Sequence, residues 1–180
     1  EREGLPVMTA GTAAYAFQGS NQTPTSIVGD IWINSDSTGA TFAYGTSDYE
    51  TLLHEMGHVL GLKHSFDTPV IPAPYENTRY TVMSYTPGSR TVTFEPDGPG
   101  IRPVSTATVV ATPMVLDIFA VQDIYGADPD TRNTDTVYAY THANTAYLQS
   151  IYDAGGTDTI DLSAISRPNI VDMNPGAYSS

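Results

Sequence analysis

Over its first forty residues the chain carries short apolar runs set between polar ones. Thr12 to Phe17 and Ser26 to Asn34 are separated by the turn-rich Gln18 to Thr25, which predicts two strands joined by a loop. In the second run Ile27, Gly29, Ile31 and Ile33 alternate with Val28, Asp30, Trp32 and Asn34, so both faces hold apolar groups, as suits a strand at the lip of a cleft. The period then lengthens. Ser47 followed three residues later by Glu50 has the form of a capping box, and the helix it opens is predicted to run through Leu60, with Gly61 at the left-handed position that ends it. Pro69, Pro72 and Pro74 forbid regular helix between Phe66 and Tyr80, and Pro87 to Pro103 reads as a second irregular loop. Pro113, Asp117 and Gly126 frame another helix, whose apolar residues, Leu116, Phe119 and Ile124 among them, lie most of the way round its axis and predict a largely buried element. Beyond Asp128-Pro129 the texture changes to short Tyr, Thr and Ile segments broken by Asn, Asp and Gly. The organisation expected is an α+β unit over residues 1–128 and the start of a β-module over 129–180.

Composition narrows the chemistry. The chain of 180 residues has seven Lys and Arg against twenty Asp and Glu, a formal charge of -13, so nucleic acid and acidic membrane faces are repelled. Carboxylates in such excess, with clusters of Gly, Asn, Asp and Thr, suit hard divalent cations, although a solvated acidic surface has the same composition. Cysteine is absent, which excludes disulfides, thiolate metal sites and a cysteine nucleophile. No apolar run approaches the ~20 residues that span a bilayer, and Glu1 to Ala10 lacks a basic-then-apolar export pattern.

Three of the four histidines fall within eleven residues, His54-Glu55-Met56-Gly57-His58-Val59-Leu60-Gly61-Leu62-Lys63-His64. On a helix, positions four apart differ by ~40° and ~6 Å, so His54 and His58 can share one ion. A continued helix would carry His64 another ~9 Å along the axis, too far for nitrogens that must each sit ~2.1 Å from one zinc. Gly61 supplies the reversal that returns His64 as third ligand. Glu55, on the flank of that face, reaches a water on the metal and is assigned as the general base. His142 reads as a surface residue.

The motif His-Glu-x-x-His-x-x-Gly-x-x-His resembles the metzincin signature, and Val82-Met83-Ser84-Tyr85 resembles the Met-turn in its serralysin form. The resemblance implies a zincin-like catalytic domain, a twisted mixed sheet over an active-site helix, with Met83 as an apolar floor beneath zinc and Tyr85 as an additional, displaceable ligand that donates to the oxyanion. Gly29-Asp30-Ile31-Trp32-Ile33 resembles the strand at the rim of the family's cleft, which implies that Gly29, Asp30, Ile31 and Trp32 bind substrate. Ala120 to Ala127 resembles the family's last catalytic-domain helix.

Asp153-Ala154-Gly155-Gly156-Thr157-Asp158 resembles the segment leading into the family's calcium-binding β-roll. The likeness implies structural calcium held by Arg132, Thr134 and Thr136 on one side and Asp153, Gly155, Gly156 and Asp158 on the other, with Thr134 where the family usually has Gly. An ordinary Gly-Gly turn that binds nothing is the plainer alternative. The resemblance further implies zinc-dependent hydrolysis of internal bonds in extended polypeptides, secretion to the extracellular space, and a proteinaceous inhibitor or a separate polypeptide supplying a missing N-terminal part as partners. By the same likeness the chain is trimmed at both ends. The rival reading is a calcium-dependent adhesion or surface module with a vestigial zinc site.

Overall fold

The structure is a computed structural model and describes residues 8, 12–17, 27–34, 41–141 and 147–179. The loop expected over Gln18 to Thr25, Ser26 and His142 lie outside these residues. Strand β1 (Ala14–Ala16) pairs antiparallel with β2 (Ile31–Ile33), and α1 (Ser47–Val59) packs against both. The cap of α1 is Thr46 and not the expected Ser47: its hydroxyl accepts from Tyr49 N–H at 3.3 Å, so Glu50 falls one place beyond the capping-box position. Gly45, at φ +79, turns the chain just ahead of it and sets that register. Asp48 and Glu50 still place negative charge in the first turn, where the helix dipole favours it.

At its other end α1 closes in a Schellman motif. Gly61 N–H donates to His58 O at 3.0 Å, Leu62 N–H donates to Gly57 O at 2.9 Å, and Gly61 adopts φ +94. Leu60 is therefore the cap, one residue short of the expected span.

The irregular loop expected over Pro87 to Pro103 is instead largely a hairpin, β3 (Arg90–Asp97) antiparallel to β4 (Gly100–Ala107). Gly98 at φ +57 makes the turn, and Arg102 pairs with Glu95 at 3.1 Å across the strands. Proline is tolerated here because each strand has an edge with no neighbouring strand among the described residues, where a missing N–H breaks no ladder bond. The period-2 signal of Val92 and Phe94 was outweighed in the sequence by Gly and Pro density.

Next, β5 (Val109–Val110) leads into α2 (Val115–Tyr125), which Met114 caps and Gly126 ends at φ +87. Contrary to expectation α2 is only half covered: Phe119 and Tyr125 are 69% and 62% exposed, because its packing partners lie on one side only. Strand β6 (Val137–Ala139) pairs parallel with β8 (Thr159–Asp161), and β7 (Tyr147–Leu148) pairs parallel with β5. The β5–β7 pair crosses the boundary expected near residue 129, and Arg79 lies over the Tyr178 ring at 4.1 Å. Every sheet among the described residues has two strands. The core, Leu53 of α1 with Val82, Met83, Val110 and Met114, sits directly beneath the histidine helix.

Candidate metal centre

The helical turn and the glycine reversal bring His54, His58 and His64 together, with one ring nitrogen from each within 4.8 Å of the others. Each imidazole is held from behind by its Nδ1. His54 Nδ1–H donates to Val82 O at 2.8 Å, His58 Nδ1–H donates to Leu62 O at 2.9 Å, and His64 Nδ1 lies 3.3 Å from Asp67 Oδ2. These partners fix the tautomer, so all three Nε2 lone pairs are aimed inward.

That arrangement fits a cation. His54 Nε2 is buried without a hydrogen-bond partner, and His58 Nε2 stands 3.2 Å from His64 Nε2. Two nitrogens on one tetrahedral zinc stand ~3.4 Å apart, close to the spacing of the His58 and His64 pair. An orphaned buried acceptor such as His54 Nε2 costs stability unless something binds it.

Burial pushes the His54 pKa down from 6.5 to about 4, against the Val82 carbonyl, which favours the charged form. The folded metal-free chain thus keeps His54 neutral over a range in which the unfolded chain takes up a proton. Its stability is expected to fall as pH drops from about 6.5 to about 4, the window between those values. Thermal unfolding of the metal-free chain across that range measures this, and His54→Gln should flatten the slope.

Glu55 is 8% exposed, and burial raises its pKa, opposed by His58 and by a hydrogen bond from the Ala16 backbone. In β1, Phe17 N–H donates to Asp30 O and Asn34 N–H donates to Ala13 O, so odd-numbered residues bond to β2 and Ala14 and Ala16 turn the other way. The edge facing Glu55 is therefore that of β1. Gly29 to Trp32 lie one strand further out, with Gly29 at φ +88 beside Phe17 and Trp32 edge-on to the Phe17 ring.

Met83 is 2% exposed and fills the space under Gly57, where an added Cβ would stand 2.4 Å from its sulfur. Tyr85 O–H donates to His64 Nε2 at 2.9 Å, and its ring is 67% exposed. Its pKa is raised, first by partial burial and then by the Glu55 charge.

The expected calcium residues also converge. The β6–β8 pairing sets 131–136 against 153–158: Thr136 N–H donates to Asp158 Oδ1 at 3.0 Å, Thr136 Oγ1–H to Thr134 O at 2.9 Å, and Gly155 N–H to Asp153 Oδ1 at 3.0 Å. Arg132, at φ 53, donates from its guanidinium to Tyr152 O at 3.2 Å, which leaves its own carbonyl uncommitted by that bond. Gly156 is required, since a Cβ there would lie 2.6 Å from the Thr134 carbonyl carbon. Among the described residues only the three histidines form a cluster of His, Cys or carboxylate groups close enough to hold an ion.

Val82, Leu62, Asp67, Glu76 and Asp117 were missed from sequence. Asp117 accepts from Thr81 Oγ1–H at 2.5 Å and from the N–H groups of Val82 and Met114 at 2.8 Å each, tying the turn that holds His54 to the start of α2. Only the cap position of Asp117 was legible beforehand.

A broken helix thus presents three inward imidazoles beside a buried carboxylate, a donor set able to hold a metal ion. Comparison with known proteins points to one family: the family model described as peptidase M10 serralysin C terminal matches residues 115–180, beyond the histidines. Metalloprotease AprA of Pseudomonas entomophila (strain L48) is 34% identical over 94% of this chain and 38% of its own length. Serralysin A of Dickeya chrysanthemi is 33% identical over 94% of this chain and 36% of its own length, and serralysin of Photorhabdus sp. (strain Az29) is 32% identical over 94% and 38%. The chain is serralysin-like, and it spans somewhat more than a third of the length of these relatives. No helix among the described residues is long and apolar enough to cross a membrane.

Proposed function

We propose that the chain carries the catalytic centre of a secreted zinc-dependent endopeptidase, with a metzincin-type catalytic unit over 1–128 and the opening of a calcium-binding β-module over 129–180. The convergence of three Nε2 atoms, each with its Nδ1 committed elsewhere, carries the reading. His54, His58 and His64 would hold the zinc, which when bound would polarise the scissile carbonyl and acidify a water. Glu55 would take a proton from the water whose oxygen bonds to the scissile carbonyl carbon, and would hand it to the amine nitrogen as the C–N bond breaks; its raised pKa suits a base working near neutrality.

Tyr85, whose O–H meets His64 Nε2 in the metal-free chain, would lose that acceptor once the nitrogen holds a cation; its exposed phenol would then swing towards the carbonyl and donate to the developing oxyanion. Met83 keeps the floor apolar. The extended substrate adds to the outer edge of β1 at Ala14 and Ala16, because that edge faces Glu55; Gly29 to Trp32 then support the rim from behind. Calcium bound by the carbonyls and carboxylates of 132–136 and 153–158 would brace the turn pair.

The test is metal removal. Dialysis against a zinc chelator is expected to abolish casein cleavage and zinc to restore it, with one zinc per chain by mass spectrometry. Cleavage that persists in the metal-free chain would overturn the proposal.

A further inference from the structure

One carboxylate gathers the loop that joins His64 to Tyr85. Glu76 Oε1 accepts from Ser65 Oγ–H at 2.7 Å and from Ser84 Oγ–H at 2.6 Å, and its Oε2 accepts from Thr86 Oγ1–H at 2.9 Å. Ser65 directly follows His64, while Ser84 and Thr86 stand on either side of Tyr85. The two serines are 2% and 4% exposed, so their hydroxyls have no ready exchange with water. Around them the backbone is cross-tied: Ser65 N–H donates to Met83 O at 3.2 Å, Thr86 N–H to Ser84 Oγ at 3.0 Å, and Thr78 N–H to Thr86 O at 2.8 Å. The hydroxyls of Ser84, then Ser65, hold the Glu76 pKa below the usual carboxylate value, so an ionised acceptor sits at the hub near neutral pH. Hydrogen bonds to an ionised acceptor are the stronger kind, and three of them converge from both segments.

We infer that Glu76 is a positioning residue, which sets the distance between the His64 imidazole and the Tyr85 phenol by holding the neighbours of both. It touches neither the metal ligands nor substrate; it acts through Ser65, Ser84 and Thr86. The inference rests on the assignment of His64 as ligand and Tyr85 as oxyanion donor. Its consequence is that loosening the hub should disturb two functions at once, the third ligand and the phenol, without touching Glu55.

The experiment compares wild type, Glu76→Ala and Glu76→Gln in the zinc-loaded and cobalt-substituted chain. Glu76→Ala is expected to weaken zinc about tenfold or more in chelator competition, within the ~10–100-fold typical of outer partners of a ligand, and to shift the visible bands of bound Co²⁺. It should lower kcat about tenfold while KM changes less than about twofold, since the lost alignment concerns the transition state. Glu76→Gln keeps the Oε1 acceptor for both serines and should recover most of each loss. In a Tyr85→Phe background the kcat effect of Glu76→Ala should shrink while the zinc effect persists, as coupled residues require.

An unchanged zinc affinity and cobalt spectrum, with only a lowered unfolding temperature, would make Glu76 mere loop glue and overturn the inference. If Glu76→Ala does not fold, Ser84→Ala removes the tether beside Tyr85 alone: a lowered kcat supports positioning and an unchanged one overturns it. Should wild type bind zinc yet cleave nothing, the endopeptidase reading fails by itself, and the zinc and cobalt comparisons still decide the role of Glu76.

Discussion

Glu55→Ala is expected to keep stoichiometric zinc and to lose peptide hydrolysis by about 10²–10⁴-fold, the range general-base catalysis contributes. Zinc should stay because the three histidine nitrogens form the donor cluster without Glu55. Hydrolysis should go because Asp67, the other carboxylate beside the cluster among the described residues, is held behind His64 at its Nδ1 and not on the Nε2 side. The same variant makes a stability prediction of the opposite sense. Burial raises the Glu55 pKa, so the ionised form is disfavoured in the metal-free fold, and that penalty is present above the folded pKa. At neutral pH the metal-free Glu55→Ala chain should therefore unfold no lower than wild type. Zinc by mass spectrometry, casein turnover and a thermal scan test all three statements, and undiminished cleavage would remove Glu55 from the mechanism.

His64→Ala is expected to weaken zinc well beyond the ~10–100-fold that follows loss of an outer partner, with activity at background. His64 is the proposed ligand whose place depends on the chain reversal, and in the metal-free chain it is also the acceptor for Tyr85 O–H and is stacked on Phe66 at 4.8 Å. Its loss leaves two imidazoles on a helix, a pair too weak to retain zinc against a chelator. Added imidazole should return part of the binding. Wild-type zinc affinity in this variant would mean that another group closes the site.

The contrast between the two variants reflects how differently the parts of the site were written into the chain. His54 and His58 were legible because α1 is local: four residues of helix fix their separation whatever packs around them. His64 was legible because a glycine after a helix has one common use, and the Schellman bonds from Gly61 and Leu62 are that use. The hairpin of β3 and β4 was not, since proline and glycine signal loops unless the strand edge they occupy is free. The exposure of α2 was not legible either, because an apolar sequence says what a helix would bury and not what is there to cover it.

The sequence by itself determined which three imidazoles meet, which carboxylate stands beside them and which methionine turn follows. Tertiary structure alone decided what orients them: the Val82 carbonyl reaches His54 across 28 residues, Asp117 reaches Val82 across 35, and Glu76 joins the flanks of His64 and Tyr85. It also decided that β1, not β2, turns its edge to Glu55. The physical reason is range. Helical rise and glycine dihedrals are set within one turn, whereas the outer acceptors and the edge of a sheet exist only once the Met83 turn has packed beneath Gly57 and closed the core.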